Sequence, residues 1–353
     1  MWQVYQNVFF TPGFNRTLVF DSLKLDINFI PNELFHKLKN SNFLIYEDSF
    51  DKEDIEYLLS KDLIFKINPL LLGRFPKMEE SLTLNCDLAV LTIEVSKLTT
   101  EHLFKISFDK NKNSTIGQYN FVFSDFSSLS DLKTIRSFLE HQDIDAVEFT
   151  ILKKFRYSDD FFYEFKDLNR LIIINNFTGQ TLEDKYASSG RRMFVDNNDY
   201  KSIKIIPDLP TYLESSTKHV YFYNKILISK DGTIRNSKET PYVYGNLKNL
   251  EVIDLERILN DEQINYLWEV KKEDTIICKD CEFRRLCNDN RMPVKNRNYW
   301  YHFEECQYNP YISKWEDEDG YKSLKDSGIE ITNGEMKKDS SVIQRINELL
   351  WLD

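Results

Sequence analysis

Between Arg16 and Pro31 apolar and polar residues trade places at almost every step. In LKLDINFIP, Leu23, Leu25, Ile27 and Phe29 fall on one face and Lys24, Asp26 and Asn28 on the other, the period of a half-buried antiparallel strand. RTLVFD just before it is placed to pair as a hairpin, and Pro31 and Asn32 stop the strand. The spacing then becomes helical. ELFHKLKN predicts a short helix, and DKEDIEYLLSKDLIF a second, with Asp51 as N-cap and Ile55, Leu58 and Leu59 on the buried side. Strands followed by helices over residues 1–75 predict a small winged-helix-like module.

From about residue 85 to 210 the pattern changes to short, nearly continuous apolar runs, LAVLTIEV, YNFVFSD, AVEFTILKKF, LIIINNF and SIKIIPDL, as expected of strands covered on both faces. Helical spacing separates several of them. SLSDLKTIRSFLEHQ places Leu132, Ile135 and Leu139 on one side, and DDFFYEFKDLNR follows the third strand. Such alternation predicts a parallel α/β sheet or an incomplete β/α barrel over residues 76–217. KHVYFYNKILISKDGTIRN reads as a hairpin turning at Asp231-Gly232, opening a third region, 218–325. Residues 326–353 end in an amphipathic helix, capped by Ser340 or Ser341, whose Val342, Ile346, Leu349 and Leu350 share a face.

Composition narrows the class. With 41% hydrophobic and 29% charged residues, and 26 Phe and 19 Tyr, the 353-residue chain has material for filled cores in two or three domains. A net charge of −11 disfavours non-specific binding to nucleic acid or an anionic membrane. The N-terminal residues lack the pattern of a signal peptide, and no apolar run is long enough to span a bilayer. The expectation is a cytoplasmic protein with neither nucleic-acid nor membrane partner. Its cysteines are then reduced, and a cluster of them reads as metal ligands rather than a disulfide framework.

Four of the five cysteines do cluster. Cys278 and Cys281 have two residues between them, Cys287 follows after five more and Cys306 after a further eighteen, while Cys86 stands alone. Four thiolates on loops suit a tetrahedral zinc site or a [4Fe–4S] cluster, and spacing does not choose between them.

This set, with Gly-x4-Ser from Gly232 to Ser237 upstream, resembles the SPASM domain that extends many radical S-adenosylmethionine peptide-modifying enzymes. CKDCEFRRLC, YNPYISKWE, YLESSTKHVYFYNK and GTIRN resemble more narrowly the SPASM-domain maturase of grasp-with-spasm systems, and residues 1–75 resemble in order and length a PqqD-like leader-recognition element. The full SPASM pattern carries ligands for two clusters. Ser237 and Arg291 occupy two of its cysteine positions here, and Asn290 stands where narrower relatives carry another. The resemblance therefore implies one centre, held by Cys278, Cys281, Cys287 and Cys306, either one [4Fe–4S] cluster or one Zn2+. A radical centre needs Cys-x3-Cys-x2-Cys after the first barrel strand, and this chain offers Cys86 alone. No S-adenosylmethionine chemistry is expected.

The function implied is that of an accessory in maturing a ribosomally synthesised peptide. It would bind the precursor as an added strand along Leu23, Leu25, Ile27 and Phe29, and present it to an ATP-grasp ligase. A redox enzyme using its one cluster, or a zinc-stabilised interaction scaffold, are the rival readings, and the N-terminal module serving only as domain packing is the rival to leader recognition. His219 and His302 are each either metal ligands or hydrogen-bonded core histidines. Arg284, Arg285 and Arg291 are candidates to meet an acidic peptide or the partner enzyme. No phosphate-binding glycine loop, nucleophile elbow or His-Glu-x-x-His motif is present.

Overall fold

The structure, a computed structural model, describes residues 1–76, 78–106, 115–124, 128–142, 144–152, 164–165, 171–176, 192–194, 204–296, 299–332 and 335–351. The chain forms two compact units. One comprises Met1–Leu82, Ile203–Tyr221 and Glu269–Asp353, the other Thr83–Ser202 and Phe222–Trp268.

The first unit opens with β1 (Trp2–Val4), β2 (Val8–Pro12), β3 (Arg16–Asp21), β4 (Asp26–Pro31), α1 (Asn32–Asn40), β5 (Leu44–Ile45), α2 (Lys52–Ser60) and β6 (Ile64–Lys66). β1 lies between β5 and β6, and β3 between β2 and β4 in an antiparallel sheet. The expected hairpin forms, with Leu18 opposite Phe29, but its second strand begins only at Asp26. The Asp21 carboxylate accepts the N–H groups of Leu23 and Lys24 at 3.0 and 3.1 Å, and Leu25 takes a left-handed φ of 57°. An alternating tripeptide is thereby spent on a turn, leaving Leu23 79% and Leu25 53% exposed.

Both faces of the β2–β4 sheet are covered. Val8, Val19 and Ile30 pack with Leu34, Leu38 and Leu58 of the two helices. Phe9, Leu18 and Phe20 pack on the other side with Tyr212, Leu213, Phe283, Leu286 and Tyr308. Each such side chain fully buried stabilises by about 1.5–3 kcal/mol, so this second core ties residues 1–31 to the cysteine-bearing stretch. The compact unit accordingly extends past residue 75. In α2, Ile55 and Leu58 are buried, but Leu59 is 37% exposed. Asp51 occupies the N-cap position without a capping bond, its carboxylate lying 2.7 Å from Lys37 Nζ.

The second unit is built on β7 (Leu88–Glu94), α3 (Lys97–Glu101), β8 (Ile116–Phe123), α4 (Leu129–Glu140), β9 (Ile144–Ile151), β10 (Leu171–Asn176) and β11 (Arg192–Phe194). The chain then contributes β12 (Lys204–Ile205) and α5 (Leu209–Glu214) to the first unit, and returns as β13 (Lys225–Ile228), β14 (Thr233–Arg235), β15 (Gly245–Asn246) and α6 (Leu255–Leu259). One sheet takes the order β11-β10-β9-β8-β7-β13-β14-β15. Its first six strands are mutually parallel, and the last two pairings, β13–β14 and β14–β15, are antiparallel. The class is α/β with a central parallel sheet, open among the described residues. Gly232, at φ 84°, makes the β13–β14 turn expected at Asp231-Gly232.

SIKIIPDL does not join this sheet. Among its described residues, Lys204–Ile205 is the strand, paired antiparallel with residues 287–288, and the Ile206 N–H continues the ladder to Leu286 O at 2.8 Å. The helix expected over 159–170 lies outside the described residues except for Glu164 and Phe165.

The C-terminal stretch adds β16 (Cys287–Asn288), β17 (Val294–Asn296), β18 (Tyr299–Tyr301), β19 (Tyr308–Asn309), β20 (Lys314–Trp315), β21 (Ile329–Thr332), β22 (Glu335–Lys338) and α7 (Ser340–Trp351). Asp339, rather than either serine, caps α7, accepting the Ser341 and Val342 N–H groups at 3.0 and 3.2 Å. The helix buries Ile343 and leaves Leu349 80% exposed, correcting the expected stripe. Among the described residues no helix is long and apolar enough to cross a membrane.

Candidate metal centre

Short turns deliver the clustered sulfurs. Cys278 opens a single 3-10 turn, Cys281 precedes a second, and Cys287 begins β16. Ile277, immediately before, has φ 71° and ψ −55°, a strained conformation for a β-branched residue. It is held there by Ile276 N–H to Trp300 O at 2.8 Å and Asp280 N–H to Ile277 O at 3.0 Å. The bend sets Cys278 and Cys281 on one turn, the Cys281 N–H donating to Cys278 O at 3.0 Å. Cys306 arrives from a later loop, and its Sγ accepts the Tyr308 N–H at 3.4 Å, a contact that favours the thiolate.

The four thiols lie within range of one another's charge. Cys281 feels Cys306, Cys287 and Cys278; Cys287 feels Cys306 and Cys278; Cys306 feels Cys278. Burial is the main cause holding Cys281 and Cys287 well above the ordinary thiol range, and it raises Cys306 too. Metal binding here would therefore displace protons. Sulfur donors suit zinc or an iron–sulfur cluster, but no three of these four lie within 4.8 Å of one another, the proximity that a closed tetrahedral zinc site requires.

A buried charge network adjoins them. Lys272 Nζ contacts Asp289 Oδ2 directly, and Arg291 reaches the same carboxylate through Nε at 2.9 Å and a second nitrogen at 2.7 Å. His302 Nε2 lies 3.4 Å from Lys272 Nζ and 3.6 Å from Asp289. Burial opposes ionisation of Asp289, but Lys272 and Arg291 outweigh it and hold the carboxyl well below its usual range. Burial, with the charge of Lys272, pushes His302 down to about 3, so the ring is neutral. Cys278, Asp289 and His302 form a group able to hold a metal ion, their donor atoms lying within 4.8 Å of one another. Both Asp289 oxygens are already engaged by Lys272 and Arg291, which weakens the carboxylate as a ligand.

The loop between the cysteines is also clamped to the N-terminal hairpin. Arg16 Nε pairs with Glu282 at 2.8 Å, Tyr308 donates to the same carboxylate, Arg284 donates to Pro12 O at 2.6 Å, and the Phe14 N–H donates to Asp280 O at 2.8 Å. A cleft of about 610 Å³ reaches Cys278 and Cys306, with Arg291, His302, Ile329 and Ile331 in its walls.

Of the residues expected to bind peptide, Leu23 and Leu25 lie in the exposed turn. Ile27 and Phe29 are on β4, half-buried on the face toward the cysteine loop, where Phe29 meets Phe283 edge-on at 5.7 Å with the Arg16 guanidinium 3.7 Å from its ring. The arginines are spent internally: Arg284 on Pro12 and Cys281 carbonyls, Arg285 on Glu273 at 2.8 Å, Arg291 on Asp289. His219 is buried outside the metal-competent group. Cys86 and Ser237 belong to the second unit, where the Ser237 hydroxyl accepts the Glu239 N–H at 3.3 Å. Lys272 and Asp289 were not visible as site residues in the sequence; the one signal was charge within a cysteine-rich stretch that has little apolar periodicity. Comparison with protein-family models and with curated proteins returns no match to this chain.

Proposed function

We propose that this protein is a cytoplasmic accessory in the maturation of a ribosomally synthesised peptide. It binds the precursor through its N-terminal sheet and presents it to an ATP-grasp ligase. One metal centre on Cys278, Cys281, Cys287 and Cys306 fixes the loops beneath that sheet. The reading treats residues 1–75 as PqqD-like, the open parallel sheet as what remains of a radical-enzyme barrel, and the cysteine region as SPASM-like. A tetrathiolate accommodates one [4Fe–4S] cluster or one Zn2+, and metal and sulfide content with a visible absorption spectrum separates them. With Cys86 the lone thiol ahead of β7, the chain lacks the ligands for a radical centre.

The observation carrying the reading is that β4 ends its three-stranded sheet while the sheet's inner face rests on the cysteine loop. The outward-facing backbone of β4 belongs to Ile27, Phe29 and Pro31, since Asn28 and Ile30 alternate with them toward β3. Two of these groups are shielded locally, the Ile27 N–H by Asp26 at 2.9 Å and Phe29 O by the Tyr57 hydroxyl at 2.9 Å. An incoming strand displaces two exposed side chains and gains backbone bonds. Deleting residues 1–75 would strip the cysteine loop of its core, so point variants are the sharper test. Ile27→Pro removes an outward N–H and is expected to weaken leader-peptide binding at least about tenfold, whereas Leu23→Glu in the turn leaves it intact. Equal binding by both removes the strand-addition assignment.

The cleft at Cys278 and Cys306 favours one second reading, a redox enzyme working at the centre. A mass change in the peptide that appears only when this protein accompanies the ligase would support it.

A further inference from the structure

A cleft of about 680 Å³ opens within the first unit, away from the cysteines, and all its lining residues lie between Gln3 and Glu80. Its wall is largely aromatic. Phe10 stands 5.8 Å from Phe35 and 5.2 Å from Phe43, and the stretch after β6 adds Phe75 and Met78 without pairing to β2. One polar group breaks this surface. Gln3 lines the cleft at 9% exposure, and its Oε1 is buried with no hydrogen-bond partner. A buried acceptor left unmatched costs stability and is normally satisfied, so a donor brought by an occupant would complete it.

The edge of β2 offers two more unmatched groups. The Gly13 N–H donates to Arg16 O at 2.8 Å and the Ser22 N–H to Asn7 O at 3.1 Å, so the alternation turns the main-chain groups of Phe9 and Thr11 toward β3 and those of Val8 and Phe10 away from it. Tyr5 O takes the Val8 N–H at 3.2 Å, and the Tyr212 hydroxyl donates to Phe10 O at 3.3 Å. Val8 O and the Phe10 N–H are left open among the described residues, and both residues line the cleft. One acceptor and one donor of the main chain, beside a side-chain cavity, suit a peptide residue.

We propose that this cleft is a binding site for a tryptophan side chain of the peptide, its ring among Phe10, Phe35 and Phe43 and its indole N–H donating to Gln3 Oε1. Indole joins a large apolar ring to a donor and carries no acceptor. Phenylalanine brings no donor, tyrosine adds an acceptor that needs its own partner, and lysine or arginine would carry charge into an apolar cavity. The inference rests on the reading that this chain binds a peptide, though not on the β4 edge. Lys39 and Glu80 also line the cleft, which makes free tryptophan, with both its charges, the competing occupant.

The test titrates N-acetyl-tryptophanamide and its 1-methylindole analogue into the full-length chain, read by ligand-observed NMR. The amide is expected to saturate one site. The analogue, which has no indole N–H, should bind at least about tenfold more weakly because it leaves the buried acceptor unmatched. Gln3→Met removes an acceptor that has no partner, so it should erase this preference without lowering the thermal midpoint. Met78→Glu, at a position 38% exposed, should weaken both ligands and replaces Gln3→Met if the latter does not fold. Equal binding of the two ligands, a preference that survives Gln3→Met, undiminished binding by Met78→Glu, or tighter binding of free tryptophan than of the blocked amide overturns the proposal. Ile27→Pro lies on β4, outside the cleft, and should leave binding of the amide unchanged, so failure of strand addition is read separately from failure of this site.

Discussion

Gly13 shows how tightly the hairpin and the cysteine loop are fitted at single positions. A Cβ at this position would stand 2.8 Å from the Cβ, the backbone nitrogen and Oε2 of Glu282. The nitrogen belongs to the residue after Cys281 and has no freedom to retreat. Gly13→Ala is therefore expected to destabilise the first unit by about 1–3 kcal/mol and to weaken metal retention, read as a lower midpoint in chemical denaturation of the metal-bound protein. An unchanged midpoint would mean the approach is looser than the geometry requires. In the second unit, Asp131 and Ser128 cap α4 reciprocally: Asp131 accepts the Ser128 N–H at 2.8 Å, and Ser128 Oγ accepts the Asp131 N–H at 3.2 Å. Burial opposes ionisation of Asp131, but these bonds and the Thr100 hydroxyl outweigh it and lower the carboxyl's pKa. A depressed folded value means the unfolded chain binds more protons, so the stabilisation is full above about pH 3.9 and disappears as pH falls through the folded value. Ser128→Ala should cost about 1 kcal/mol at neutral pH, and Asp131→Asn should flatten the acid limb of the stability curve.

At the scale of elements, the three-stranded sheet depends on a loop that has no regular structure beyond short 3-10 turns. Phe283 meets Phe29, Tyr308 and Trp315 at 5.7, 5.0 and 5.6 Å, and Leu286 is fully buried under Phe9, Leu18 and Phe20. Both lie between Cys281 and Cys287. If these cysteines hold a metal as proposed, removing it should accordingly speed amide exchange across β2 to β4 while leaving β8 unchanged; protection that persists in β3 after chelation would show that apolar packing alone orders the loop. The elements legible in the sequence were those whose side-chain period and backbone agree: the apolar run at Leu88–Glu94, the Tyr119–Phe123 part of the strand Ile116–Phe123, and the Asp231-Gly232 turn. Leu23 and Leu25 misled because alternation continued past the point where the Asp21 side chain folded the backbone. SIKIIPDL misled because an apolar run does not say which sheet it joins. At the site, cysteine spacing is local and readable. The Lys272–Asp289–His302 network joins three separated segments, and no local period encodes such a meeting.

For the molecule as a whole, the metal question belongs to one of two compact units. Cys278, Cys281, Cys287 and Cys306 all lie in Glu269–Asp353, whereas the parallel sheet belongs to the unit formed by Thr83–Ser202 and Phe222–Trp268. A ligand that binds only the folded form of one unit stabilises that unit, by about 2.7 kcal/mol when present at a hundredfold excess over its Kd. Thermal unfolding is then not a single two-state event, and chelation should lower one transition and spare the other. The tryptophans separate the signals: Trp268 lies in the sheet unit, at the edge of the Tyr223 ring 5.6 Å away, while Trp2, Trp300, Trp315 and Trp351 lie in the unit that carries the four clustered cysteines. A variant retaining Trp268 alone should unfold at the same temperature with and without chelator, and Trp268→Phe should report a chelator-dependent fall. If both signals fall together, folding of the parallel sheet depends on the metal as well, and the centre would be a determinant of the entire chain rather than of the surface on which the precursor is proposed to dock.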